Sequence, residues 1–510
     1  MSTYHLSQSE FEQQLQSVDP SIQQRVEAAL SAAGVDIAKD GVTLETGPQG
    51  NVSVGSSVNL FEAVAAGKYT ITAGDKSIIA TGTNKVTVDL AGSGQNTVIV
   101  GSGGANVTTN GGDTVIGGSG SSEFVAKGGG NVLYGGSAQD TLAAVDGNNT
   151  LYAGSGRNNL NGGAGNDSLY GGGQSALYGG RGDQQLVGGA NGSARDTLVG
   201  GNGSDVLFVQ HGNNTLIGNS GDTLYGGTGN DSLSAVGGNN TLYAGSGLNT
   251  VQGGAGTDSL YGGGQSSLVG GTGNQQLVGG ANNSAHDTLS SGAGNDILYV
   301  QHGTNQLIGN GGDTLYGGTG NDTLSATGGN NTLYAGSGLN LVQGGSGRDS
   351  LYGGGQSSLV GGTGNQQLVG GANSSAHDTL VSGAGRDVLF VQNGSNQLFG
   401  NGGDTLYGGI GNDTLATTGG DNYLYGGGKT AFELSNTGGN DTIVGSSTDS
   451  LRIDNAGLGT ASYNYNQVDN STTITFSGNS AMSVTVSGLT QVTYSDGSSH
   501  SLGQQVPPHP

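Results

Sequence analysis

The sequence predicts an all-β fold: a solenoid of short parallel strands, preceded by a small helical hairpin and closed by a β-rich end. Three observations predict it. The segment GDTLYGGTGNDSLSAVGGNNTLYAGSGLN (221–249) returns 91 residues later, almost unchanged, as GDTLYGGTGNDTLSATGGNNTLYAGSGLN (312–340), and more loosely from Gly403. Within each 91-residue unit the chain breaks into ten shorter turns, most of nine residues. Of 510 residues 109 are Gly, yet only 5 are Pro, which fits neither collagen nor a Pro-rich linker. Hydrophobic content of 32% would on its own suit disorder, but a disordered chain has no reason to keep a register.

Residues 1–40 stand apart from the rest. Ser7 and Glu10 have capping-box spacing, and Phe11, Leu15 and Val18 follow at helical intervals. Asp19-Pro20 is an N-cap followed by Pro at the first helical position. Ile22, Val26, Leu30 and Ala33 make one apolar stripe that Gly34 stops. This pattern predicts a helical hairpin, read as a cap that hides the end of a stack.

Residues 41–130 are a β-strand lead-in. Val52, Val54, Tyr69 and Ile71 alternate, and irregular repeats such as GGDTVIGGSG follow. The solenoid proper spans 131–428, with units at 131–221, 222–312 and 313–403 and a partial fourth. Tyr134, Tyr225, Tyr316 and Tyr407 are in register, as are Tyr152, Tyr243, Tyr334 and Tyr425, and they are expected to stack along one face.

A single turn, such as GGAGNDSLY from Gly162, shows the physics. Gly supplies the φ > 0 bend that other residues resist. The x-Leu-x segment then puts one apolar side chain inward between two outward ones. Two turns make a coil of about 18 residues, and stacked coils bury a continuous aliphatic column. Roughly 16 coils at about 4.8 Å each would give a rod about 80 Å long. Residues 429–510 leave the period; YNQVDNSTTITFSG, SVTVSG and VTYSDGSSHSL read as a C-terminal β cap, and GQQVPPHP as a disordered tail.

The charge balance narrows the function. With 13 basic and 37 acidic residues the net charge is −24, which disfavours nucleic acid and anionic membrane and suits divalent cations. No apolar run approaches a membrane span. There is no Cys, so metal or stacking must staple the chain. The stretch MSTYHLSQSEFEQQ lacks the basic and apolar regions of a cleavable signal, so the residues alone give a cytoplasmic protein or one exported by a route that reads another signal.

GGAGNDSLY, GGTGNDSLS, GGTGNDTLS and GGIGNDTLA match the nonapeptide GGxGxDxUx, and the chain resembles the RTX (repeats-in-toxin) family over about 350 residues. The resemblance implies a parallel β-roll with calcium between Gly-Asp turns on one edge. It also implies secretion through a one-step (type I) exporter that reads a C-terminal signal, and the ending VTYSDGSSHSL looks like the strand-DG-strand finish common in such proteins.

Calcium takes oxygen ligands, so the residues facing each other one coil apart matter. Asp205 should face Asp222, Asp296 face Asp313, and Asp387 face Asp404. Mixed pairs follow: Asp231 with Asn249, Asn240 with Asp258, Asp322 with Asn340, and Asp167 with Gln184. Asp413 completes the set of metal candidates. Asn and Gln keep an oxygen but lose a charge, so fewer and weaker sites are expected than in a perfect RTX block. Two other readings stay open: Asp and Asn as turn residues that bond their own backbone, or as amide ladders through Asn239-Asn240 and Asn330-Asn331.

No catalytic constellation is legible. His211 and His302 recur in VQHG but give way to Asn393; His286 and His377 recur in SAHD but give way to Arg195. Asp183 beside Arg181 and Asp349 beside Arg348 read as solvated surface pairs. There is no GxSxG elbow, HExxH helix or Cys nucleophile. The expectation is a secreted, non-enzymatic, calcium-binding structural or adhesive protein of the cell surface or extracellular matrix. Its partners would be calcium, further copies in a homo-oligomer or polymer, and cell-surface polysaccharide. The rival reading is a polysaccharide-acting enzyme, or a carbohydrate- or ice-binding module, on the same solenoid.

Overall fold

The computed structural model describes residues 2–47, 49–72, 77–92, 94–193, 195–283 and 286–503. The tail 504–510 lies outside the described residues. The chain forms two compact units, Met1–Asp258 and Ser259–Pro510. Each is a parallel β-solenoid.

In the first unit two parallel sheets run side by side from coil to coil. One passes in register from Leu44 through Leu60, Ile78, Thr97 and Thr114 to Thr241. Its inward residues are Phe61, Ile79, Val98 and Val115, then Leu in every coil from Leu133 to Leu242, all fully buried. The other sheet contributes a facing column that includes Phe124, Leu142, Leu160, Leu198 and Val251. Each coil buries little alone, so the core exists only through stacking.

Three short helices occur among the described residues: α1 (Gln8–Val18), α2 (Gln23–Ala32) and α3 (Ile37–Asp40). The Ser7 N–H donates to Glu10 Oε2 at 2.9 Å, and the Asp19 side chain caps a 3₁₀ turn that begins at Pro20. The expected placement of this hairpin needs correction. The helices lie on the outward flank of the first sheet, not across the end of the stack. Phe11, Leu15, Ile22, Val26 and Leu30 pack with Leu44, Leu60, Ile78, Ala80 and Ile99, the outward residues of those strands. Arg25 reaches further along the flank, donating to the carbonyls of Val100 at 3.0 Å and Gly117 at 2.6 Å. The edge of the first coil is instead paired by a strand the sequence did not disclose, Ser2–Leu6, antiparallel to Val42–Thr46. That pairing joins residues about 40 positions apart, and no local periodicity records it.

The second unit repeats the two columns, Leu260 to Leu424 in one sheet and Leu268 to Leu415 in the other. Its last coil is closed by antiparallel strands. Gly439–Val444 pairs in parallel with Asn479–Ser487, which then takes Ser471–Phe476 antiparallel, and Gln491–Tyr494 takes Ser499–Ser501 antiparallel. Covering an open strand edge in this way blocks edge-to-edge pairing.

The tyrosines stack within each unit as expected. Ring centroids lie 4.7 Å apart for Tyr134–Tyr152 and 5.1 Å for Tyr225–Tyr243 and Tyr316–Tyr334. No helix among the described residues is long and apolar enough to cross a membrane.

Candidate metal sites

The residue just before each strand's outward-inward-outward triplet forms a buried side-chain ladder. Its Oδ1 accepts the backbone N–H of the equivalent residue one coil earlier. Asp205 N–H donates to Asp222 Oδ1 at 2.7 Å, Asp296 to Asp313 at 2.7 Å, and Asp387 to Asp404 at 2.8 Å. The mixed rungs are built alike: Asp231 to Asn249 at 2.8 Å, Asn240 to Asp258 at 2.7 Å, Asp322 to Asn340 at 2.8 Å, and Asp167 to Gln184 Oε1 at 3.0 Å. Asn396 N–H meets Asp413 at 2.9 Å. Every facing pair read from the sequence is therefore a rung, and Asp, Asn and Gln share one geometry.

One residue earlier, an exposed ladder runs the opposite way. Asn230 Oδ1 accepts the N–H of Leu248 in the following coil at 2.8 Å, and Asn330 accepts that of Arg348 at 2.9 Å. Each turn is thus tied forward and backward by adjacent side chains. The ladders also correct one expected ion pair. Asp349 is buried, with its oxygens accepting the N–H groups of Asn331 and Gly345, so it is a rung and not a surface partner of Arg348. The recurrent histidines have a similar structural part: His211 Nδ1 lies 2.6 Å from Thr228 Oγ1, and His302 lies 2.5 Å from Thr319 Oγ1.

With Oδ1 occupied, the second carboxylate oxygen separates the Asp residues into two groups. In the first it accepts an N–H from its own turn. Asp222 takes that of Asn219, Asp313 and Asp404 those of Asn310 and Asn401, and Asp258, Asp296 and Asp387 those of Gly254, Gly292 and Gly383. In the second group, Asp140, Asp167, Asp205, Asp231, Asp322 and Asp413, Oδ2 is buried and has no partner.

The glycine at the second position of the turn decides between these groups in the nine-residue turns. Before the free oxygens it is left-handed, as at Gly163 (φ 75°), Gly201 (φ 116°), Gly227 (φ 75°) and Gly318 (φ 75°), and it donates no hydrogen bond to the carboxylate. At Gly254, Gly292 and Gly383 it lies outside the left-handed region and caps the oxygen. Asp140 escaped the sequence reading because GGSAQD has Ala138 where the motif has its third glycine, although its spacing from Gly135-Gly136 is the standard one.

The first glycine of these turns serves a different need, room. A Cβ on Gly200 would lie 2.7 Å from Oδ2 of both Asp205 and Asp222. On Gly226 it would lie 3.2 Å from Asp231 Oδ2, and on Gly317 3.1 Å from Asp322 Oδ2 and 2.5 Å from the Ala335 carbonyl of the next coil. The spared space is bordered by oxygen donors: two carboxylate oxygens at Gly200, and one carboxylate oxygen with a backbone carbonyl of the next coil at Gly226 and Gly317. Among the described residues no three His, Asp or Glu side chains converge, so a cation here takes carbonyls in its shell.

Burial dominates the electrostatics. It raises Asp140, Asp167 and Asp205 to a pKa of about 6, and for Asp205 the charges of Asp222 and Asp183 add to it. Asp222, Asp231, Asp296, Asp322, Asp387 and Asp413 are also raised, again through burial first. Among the described residues no Lys or Arg forms an ion pair with the free oxygens of the second group. A divalent cation bound here would supply the missing charge. The donor set, hard oxygens on repeated turns, fits calcium.

The family profile of the RTX calcium-binding nonapeptide repeat (4 copies) matches residues 107–142, 144–175, 191–222, 218–248, 234–269, 282–313, 308–342, 336–357, 360–398, 373–406 and 400–428, more than half of the chain. Among curated proteins, none matches it significantly.

Proposed function

Because the chain belongs to the RTX calcium-binding nonapeptide-repeat family, we propose that it is a secreted structural or adhesive protein of the cell surface or extracellular matrix, folded by calcium after export. Binding of calcium by such repeats is the property of the family. The observation that carries the rest is the set of buried carboxylate oxygens with no hydrogen-bond partner and no ion pair to a Lys or Arg among the described residues. Uncompensated buried charge is costly, so a metal-free coil is penalised where these oxygens stack. Calcium removes that penalty, and its binding free energy becomes folding free energy.

In this reading Asp140, Asp167, Asp205, Asp231, Asp322 and Asp413 offer a free oxygen directly. Asp222, Asp258, Asp296, Asp313, Asp387 and Asp404 first give up an N–H from their own turn, and so bind more weakly. An unfolded chain in low calcium suits passage through a one-step exporter, and higher calcium outside the cell then drives folding. Both described units consist largely of repeat, which favours the solenoid itself as the working part and a non-enzymatic role.

The test is far-UV circular dichroism with light scattering during calcium titration of metal-stripped protein. A coil-to-β transition with half-completion at extracellular calcium levels is expected. A complete β spectrum in chelator would overturn the calcium-driven folding and leave the ladders alone as the staple.

A further inference from the structure

One column on the outward side of the first sheet lies next to the buried leucines. In Met1–Asp258 it carries Tyr134, Tyr152, Tyr170, Phe208, Tyr225 and Tyr243; Ser259–Pro510 has a column of its own with the same pattern, at Tyr299, Tyr316, Tyr334, Phe390 and Tyr407. Most of these rings are more than a third exposed. We propose that this stripe is a lateral interface that takes a second copy of this chain, stripe against stripe. The proposal names a surface for the self-assembly contained in the proposed function and rests on that reading, but it does not depend on the calcium step.

Period is the first argument. The parallel rings repeat at 4.7 to 5.1 Å, the spacing of the strands that bear them, while Phe208–Tyr225, Tyr299–Tyr316 and Phe390–Tyr407 lie 6.2 to 6.3 Å apart and tilted, and Val187 and Val369 interrupt the runs. A partner that meets the stripe ring for ring needs the same repeat, and a second stacked coil has it by construction. Ring orientation is the second. Tyr134, Tyr152 and Tyr170 are parallel within 5° and 12°, so each ring face is covered by its neighbour and only edges point outward. A sugar ring packs on an open aromatic face, and the stacked rings offer none.

Charge is the third argument. The chain carries −24, yet the strand triplets of this sheet from Val132–Tyr134 to Thr241–Tyr243 contain no charged residue, and neither do those from Ser259–Tyr261 to Tyr423–Tyr425. The triplets of the other sheet are uncharged too, as in Ser232–Ala235, so charge permits two copies to meet here and the rings distinguish this face. Continuity is the fourth. In the earlier coils the same column is aliphatic, at Ile99 and Ile116, and packs against the α1–α2 helices. Ile116 is in register with Tyr134, so the column turns aromatic and exposed one coil beyond a stretch the chain covers itself. A self-complementary patch of this kind favours a two-fold pair.

Sedimentation velocity of the calcium-loaded full chain over a concentration series tests this, with circular dichroism of each sample. The wild type should associate reversibly. Tyr225→Lys with Tyr243→Lys should weaken association at least tenfold. Thr223→Lys with Thr241→Lys, beside the stripe but sparing its ring stack, should do the same. Ser232→Lys with Ser234→Lys, on the other sheet, should leave association unchanged. A folded wild type that stays monomeric throughout overturns the proposal, as does association that survives both stripe variants. Co-sedimentation of a monomeric wild type with insoluble β-glucan, lost in the stripe variants, assigns the stripe to polysaccharide and also overturns it. A wild type that needs no calcium to fold but still associates through the stripe would refute the calcium step alone.

Discussion

The N–H of Asp205 donates to Asp222 Oδ1 one coil ahead at 2.7 Å, and the two carboxylates then part company: Oδ2 of Asp222 accepts the N–H of Asn219 at 2.7 Å, while Oδ2 of Asp205 accepts nothing. Paired substitutions separate the two roles. Asp205→Asn keeps the Oδ1 rung from Gln184 and replaces an uncompensated charge, so metal-free stability should hold or rise while calcium binding weakens. Asp222→Asn sets an amide N–H against the Asn219 N–H and should cost about 1–3 kcal/mol without metal. Calorimetric calcium titration and chemical denaturation in chelator check both.

Acidity should act in opposite senses on the two forms. Asp140, Asp167 and Asp205 have a folded pKa of about 6, above the unfolded carboxylate value of about 4. The metal-free fold then binds more protons than the unfolded chain between these values. Its stability is fully present below pH of about 4 and is lost as pH rises through about 6. Calcium competes with those protons, so its affinity should fall as pH drops below about 6. Denaturation of metal-free protein from pH 4 to 7.5, beside calcium titrations over the same range, reads both trends.

Gly226→Ala should remove a binding turn without replacing any ligand side chain. Its Cβ would lie 3.2 Å from Asp231 Oδ2 and press on the Ala244 carbonyl. The expected result is a lower thermal midpoint and a smaller calcium-induced gain. Gly402→Ala, where a Cβ meets nothing within 4 Å, is the neutral control.

Leu30→Ala should cost about 2–5 kcal/mol locally, because Leu30 is fully buried between α2 and the outward face of the first coils. Hydrogen exchange should show the loss confined to Leu60–Ala63, Ile78–Thr81 and Thr97–Ile99 and their neighbours, since stability in a solenoid is set by adjacent coils.

The solenoid was legible because its period is written in side chains. Leu at every second place of x-Leu-x, after Gly, fixes which residue points inward, and one-coil spacing gives the partners Asp205–Asp222 and Asn240–Asp258 before any coordinates. The flank position of the hairpin was not legible. An amphipathic stripe such as Ile22, Val26 and Leu30 says that a face is buried, not what covers it; the hint lay in the outward aliphatics Leu60, Ile78 and Ile99. The division of Asp residues into capped and free was hidden for a backbone reason. Gly227 and Gly254 are the same letter in the same place, and only their φ angles decide whether an N–H reaches the carboxylate.

The rung pattern also bears on how the gene can change. Asp205–Asp222, Asp296–Asp313 and Asp387–Asp404 are the same rung at 91-residue intervals. Excising residues 206–296 would bring Asp313 to the place of Asp222, with the same triplet and ladder partner and a turn that differs only in Gly311 for Ser220. Unequal recombination between units would therefore shorten or lengthen the protein while creating no junction that the chain does not already contain, which makes length an almost neutral variable on which selection for reach can act.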